Sequence, residues 1–151
     1  MNKKILSCVI VFFLSLLTGC SKDSQEEPPD ASAKVNNQQI EVFKGTYSWD
    51  QGGIFSAGRT VADSFAPFQI PDQFDLEMIV VEPGSVATIT FTDGSNPKLE
   101  AYLWKQEERA EKLYVNQSIV TLPSKKGEHI IEIMAEWPKG EASYTFIIEV
   151  R

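Results

Sequence analysis

The chain is poor in the residue types that most directly mark function. It holds two cysteines, Cys8 and Cys20, and one histidine, His129. Beyond residue 20 there is no thiol, so no disulfide can staple a domain there, and a cysteine nucleophile or thiolate metal site is excluded from it. A single imidazole rules out the usual three-ligand catalytic zinc sets built on histidine. Bases are scarce as well: 14 Lys and Arg stand against 21 Asp and Glu. Phosphate contacts need clustered Lys and Arg, so nucleic acid is not an expected partner. The sequence also lacks the run of roughly 20 apolar residues that a helix needs to cross a bilayer.

The longest apolar stretch, Ile5 to Leu17, follows Lys3 and Lys4 and stops at small residues before Cys20. A basic start, an apolar stretch too short to span and a small-residue site describe a secretory signal. Leu17-Thr18-Gly19-Cys20 resembles the lipobox of bacterial lipoproteins. That resemblance implies diacylglyceryl transfer to the Cys20 thiol and cleavage ahead of it. Two acyl chains, at about 0.8 kcal/mol per buried CH₂, hold a protein on a membrane where one does not. The expected location is therefore the extracytoplasmic face of the cell membrane, with lipid on Cys20 as the membrane contact. Residues 1–19 are expected to be removed, which takes Lys3 and Lys4 and leaves 12 bases against 21 acids, a balance of −9.

What remains is enough for one domain and a tether. Residues 20–38 contain Pro28-Pro29 and many charged and amide side chains, with almost nothing apolar before Val35. Such a segment cannot offset its ordering entropy by burial, so a disordered tether is expected there and a folded domain over residues 39–151.

Within that domain the pattern is short and alternating. Residues 40–49 read as a first strand, ending at Asp50-Gln51-Gly52-Gly53. Residues 54–68 fit no period, with one short strand expected near 60–62. Strands are expected over 76–81, 86–92, 98–105, 115–122, 128–137 and 143–150, separated by Gly, Pro, Asp and Asn turns. Residues 106–112 are rich in helix formers but lack apolar periodicity, which predicts at most one exposed turn. Leu99, Ala101 and Leu103 share one face of their strand, with Tyr102 and Trp104 on the other, and both faces are expected to be partly covered. His129, Ile131, Ile133, Ala135 and Trp137 share a face, as do Tyr144, Phe146, Ile148 and Val150. Seven or eight such strands predict an all-β fold, an immunoglobulin-like antiparallel β-sandwich.

Gly45-Thr46-Tyr47-Ser48-Trp49, the Val61-Ala62-Asp63 region, Ala135-Glu136-Trp137 and Gly140-Glu141-Ala142-Ser143-Tyr144-Thr145-Phe146 resemble stretches of small uncharacterised lipoproteins of Gram-positive bacteria. The resemblance implies a surface location and a β fold. It assigns no residue a role.

No catalytic constellation stands out. His129 reads as a core or edge histidine with one satisfied nitrogen. A Ser-His-Asp triad would need Ser56 or Ser64, and Gly53-Ile54-Phe55-Ser56-Ala57-Gly58 misses the G-x-S-x-G elbow by one residue. Glu128, Glu132 and Glu136 fall on the polar face of a strand, where solvated charge is expected. Asp93-Gly94-Ser95-Asn96 lacks the later acids of a calcium loop and reads as a turn. No cofactor, metal site or catalytic residue is expected. Trp49 and Trp104 could be core or surface, whereas Trp137 and Tyr144 read as core.

The expected function is a membrane-tethered, non-catalytic module that binds an envelope protein or polymer. The alternative is a small cell-envelope hydrolase working with carboxylates. Acids converging in one hollow would favour the hydrolase. The longest stretch without alternation, residues 47–68, is the candidate binding surface, with Trp49, Asp50, Arg59 and Asp63 as its partner-binding residues. The alternative use of that stretch is structural, with Phe55, Phe65 and Phe68 plugging the open end of the sandwich. Oligomeric state is not legible.

Overall fold

The longest hairpin organises the domain. In this computed structural model, which describes residues 27–53, 56–74 and 78–151, strands β11 (Gly127–Trp137) and β12 (Gly140–Val150) pair without interruption from Gly127↔Val150 to Trp137↔Gly140. Both alternate as expected, so Ile131, Ile133, Tyr144, Phe146 and Ile148 are fully buried between two sheets. Gly140 sits at φ +153, and a Cβ there would run into the Ser48 carbonyl of the adjoining strand. Glycine is therefore required where the turn leaves the hairpin.

The larger sheet has seven strands. β4 (Ser56–Ala62), β3 (Phe43–Gly53), β12, β11, β7 (Lys98–Lys105) and β8 (Glu108–Leu113) lie in that order, and β5 (Ile79–Val81) runs parallel to the end of β12. The smaller sheet runs β2 (Gln38–Ile40), β1 (Ala31–Val35), β6 (Val86–Phe91), β10 (Ile119–Thr121) and β9 (Val115–Asn116). The order β1-β6-β10-β9 facing β12-β11-β7-β8 is the A-B-E-D and G-F-C-C′ arrangement of an immunoglobulin-like sandwich. To this the chain adds β2 and the β3–β4 hairpin, which extends the free side of β12. Ala33, Val35, Ala87, Ile89 and Val120 of the smaller sheet meet Ala101, Leu103, Ile131 and Ile133 of the larger one.

Several expectations need correction. Residues 20–38 are not all tether: β1 pairs with β6 from Ala31↔Phe91 to Lys34↔Thr88, and Ala33 and Val35 are in the core. Small apolar residues and a full backbone ladder do there what bulk does elsewhere. Asn36 and Asn37, at φ 46 and 70, make the tight turn into β2, a conformation that asparagine tolerates. The domain thus begins before residue 31, with Pro28 and Pro29 buried and Tyr144 Oη donating to the Pro29 carbonyl at 2.5 Å. Burial holds the Tyr144 phenol far above its ordinary pKa. Lys44 adds a bond to the Pro28 carbonyl at 2.8 Å and an ion pair to Asp30 at 2.7 Å.

Residues 106–107 are an exposed turn, with Gln106 at φ +55, but residues 108–112 are not part of it: they form most of β8, paired to β7. The neighbouring strand overrides helix propensity. A turn at Gln117, φ +55, splits the strand expected over 115–122 into β9 and β10. β4 is longer than the strand expected near 60–62. The signal, Cys20, the tether up to residue 26, Phe55 and Leu76 lie outside the described residues.

Candidate functional site

The outer face of the larger sheet carries most of the chemistry. Alternation on β7 turns Glu100, Tyr102 and Trp104 outward, and the β11 register sets Glu132 beside Tyr102. Arg109 on β8 is the direct cross-strand partner of Trp104. These positions converge. Glu132 Oε2 accepts from Trp104 Nε1 and from Arg109 Nε, both at 2.7 Å, while Oε1 accepts from Arg109 Nη2 at 2.9 Å. The same guanidinium lies 4.7 Å from the centre of the Tyr102 ring and 3.2 Å from Met134 Sδ.

Glu132 was expected to be solvated, and it is buried. Its side chain is 4 % exposed against 43 % for Arg109. A charge so placed needs its partners, because desolvation otherwise opposes ionisation. The bidentate bond to Glu132 raises the Arg109 pKa. Further out, Tyr102 Oη donates to Glu100 at 2.5 Å and Lys112 pairs with Glu100 at 2.9 Å. The Tyr102 hydrogen bond first, and then Lys112, hold the Glu100 carboxyl below the usual range. Lys98 pairs with Glu136 at 3.2 Å.

The segment after β4 covers part of this face. Gln69 Oε1 accepts from the Ala66 amide at 3.0 Å, closing a 3₁₀ turn over Pro67–Gln69 that runs into a single α turn, α1 (Ile70–Gln73). Ile70 is fully buried, Phe68 stacks 6.0 Å from Trp104, and Phe74 lies 4.5 Å from Phe43 and 5.8 Å from Phe65. Phe65 and Phe68 therefore form a strap across the outside of the sheet. They do not plug the end of the sandwich. Between strap and β8 lies a cleft of about 480 Å³, with Phe65, Pro67 and Val61 along its wall and Arg109, Glu132 and Met134 on its floor. A smaller hollow of about 200 Å³ adjoins it, bordered by Glu100, Glu136 and Glu141.

The four residues expected to bind a partner do not act together. Trp49 is buried, 2 % exposed, and meets Trp137 edge-on at 5.3 Å inside the sandwich. Period two explains this, since Tyr47 and Trp49 share the inward face and Ser48 and Asp50 the outward one. Asp50 and Arg59 are cross-strand partners, and Asp63 is exposed just past β4. Arg59 Nε donates to Ser48 Oγ. Residues 47–68 do contribute the cleft wall, though through Val61, Ser64, Phe65 and Pro67.

His129 faces inward and its Nε2 lies 2.5 Å from the Lys125 carbonyl, a satisfied core histidine as expected. Ser64 lies on the outer face, so the sheet separates it from His129, and the Ser56 side chain is outside the described residues. Among the described residues no group of three or more His, Cys, Asp or Glu could hold a metal, and no helix is long and apolar enough to cross a membrane. Trp137 Nε1 donates to Ser95 Oγ at 2.8 Å, with its ring against Phe91 at 5.0 Å.

Sequence reasoning missed Arg109. The available signal was the outward Trp104, an apolar body that needs cover and an N–H that needs an acceptor when buried. No protein family, curated protein or solved structure matches the chain.

Proposed function

We propose that this chain is a lipid-anchored, extracytoplasmic binding module without catalytic activity, held to the cell membrane by acyl chains on Cys20. Its recognition surface is the cleft between the strap and β8, and its partner is an envelope protein. The observation that carries this reading is Phe65. It stands 45 % exposed at the rim of a rigid floor whose charges are already paired with one another. Partly exposed aromatics beside ordered polar groups are the usual anchors of protein contacts.

The rival reading is a carboxylate hydrolase, and the grouping of Glu100, Glu136 and Glu141 around one hollow is its support. A glycosidase acid, however, must stay protonated near neutral pH, with its pKa raised. Glu100 is shifted the other way. Glu136 is tied to Lys98.

A photo-crosslinking residue at position 65 of the full chain, expressed in its own envelope, tests the surface. The expected result is one reproducible extracytoplasmic protein that a probe at Tyr114, 70 % exposed, does not capture. Identical adducts from both positions would contradict the site, and polymer adducts specific to position 65 would replace the protein partner with a polymer. Release of fragments from envelope polymers by the purified chain, lost in Glu100→Gln, would establish the hydrolase instead. For the anchor, Cys20→Ala should leave unprocessed precursor and no mature protein in the detergent phase. Mature Cys20→Ala protein in that phase would refute lipidation.

A further inference from the structure

The strands that end the two sheets are not equally protected. β2 has three residues and β9 two, while β8 carries Glu108, Arg109, Glu111 and Lys112 and has a register shift against β7. Short, charged or kinked edges resist the addition of another strand. β4 is different. It has seven residues, pairs with β3 in unbroken register from Ser56 to Ala62, and contains no Lys, Pro or acid. Among the described residues its other side has no strand beside it.

Arg59 and Val61 in β4 and Asp63 just past its end are exposed, and Thr60 and Ala62 between them are half-buried. The three exposed side chains therefore share the outer face. Set antiparallel to a copy of itself about Val61, this stretch is self-complementary. Arg59 falls opposite Asp63, Thr60 opposite Ala62, and Val61 opposite Val61. A two-fold axis through one residue pair is what identical antiparallel strands allow. Centring on Arg59 would oppose two guanidinium groups, and centring on Thr60 would leave Arg59 facing Val61. Charge selects Val61 as the centre, since opposite charges directly across a sheet attract and like charges repel.

From this self-complementarity we propose that β4 is a homodimerisation edge: a second copy of the chain adds its own β4 antiparallel about Val61. The two seven-stranded sheets become one, and the Arg59 of each copy faces the Asp63 of the other. The bond from Arg59 to Ser48 Oγ uses one of five guanidinium donors and leaves the rest for the carboxylate. Both clefts then lie on one continuous sheet face, so a partner with two matching segments can engage them together. The inference goes beyond the binding reading; Val61 stands in both surfaces, but the Arg59–Asp63 pairing belongs to the edge alone and Phe65 to the cleft alone, so either can fail without the other.

The test is oxidative crosslinking of full-length Val61→Cys in membranes. Opposed positions of an antiparallel pair lie at a Cα separation of about 4.5 to 5.5 Å, within disulfide range. Val61→Cys is expected to form a covalent dimer that neither the unsubstituted chain nor Val80→Cys, also exposed on the same sheet, forms. Adding Arg59→Asp should reduce that dimer about tenfold, and adding Asp63→Arg to that variant should restore it. Equal crosslinking at positions 61 and 80, indifference to Arg59→Asp, or failure of the double exchange to restore the dimer would each overturn the proposal.

Discussion

The two faces of the larger sheet are built by different means. The inner face is a row of Ile131, Ile133, Tyr144, Phe146 and Ile148, covered by the opposing sheet and cohesive chiefly through apolar burial, with the Tyr144 hydroxyl bonded to the Pro29 carbonyl. The outer face is covered in part by a strap from the same chain, and what it buries is mixed: Ile70 and Thr145 beside the Glu132 carboxylate. Interiors of the first kind tolerate no loss of volume. Interiors of the second kind depend on each polar group keeping its partner.

Truncation at each face should expose that difference. Phe146→Ala on the inner face should show the largest loss, about 2 to 5 kcal/mol in chemical denaturation, as buried large-to-small changes do. Glu132→Ala on the outer face should cost less, about 1 to 3 kcal/mol, because Trp104 Nε1 loses its acceptor while Arg109 can turn to water. A loss within about 0.5 kcal/mol would mean that Glu132 is solvated after all.

The two faces also differ in how far they could be read in advance. Period two alone placed Ile131, Ile133, Tyr144 and Phe146 inward, and the turn residues between strands gave the sandwich. The outer face was not legible, because Glu128, Glu132 and Glu136 share one spacing and only Glu132 lies under Trp104 and Arg109. That contact depends on β8, whose residues look helical until β7 lies beside them. β1 was missed for a related reason: its alternating residues are small, and its stability comes from the ladder to β6. Trp49 reads as core or surface because its segment looks irregular in sequence, yet its parity in β3 sends it inward to Trp137.

Smaller effects sharpen the comparison. Among the described residues, the buried Thr145 Oγ1 has no hydrogen-bond partner. Thr145→Val keeps the shape and removes the unpaired hydroxyl, so it should be neutral or stabilising by up to about 1 kcal/mol. The same exchange at a satisfied hydroxyl destabilises. The smallest effect concerns Glu100, whose folded pKa is depressed by Tyr102 and Lys112. Its contribution is fully present above the ordinary carboxylate pKa and is lost as pH falls through the lower folded value. Glu100→Gln should therefore lower stability by a small, constant amount at neutral pH and flatten the acid side, the two profiles converging as pH falls through the lower folded value. A difference between the two profiles that grows toward low pH would contradict that linkage.

The claim that the outer face serves recognition while the inner face serves folding comes to a point at Phe65. Phe65→Ser, assayed in parallel for thermal melting and for crosslinking from a probe at Ser64, separates the two roles most directly. The account predicts that the captured protein disappears while the melting temperature moves by less than about 4 °C. Retained capture with a fall in melting temperature as large as that of Phe146→Ala would contradict it, and would make the strap a structural cover with no binding role.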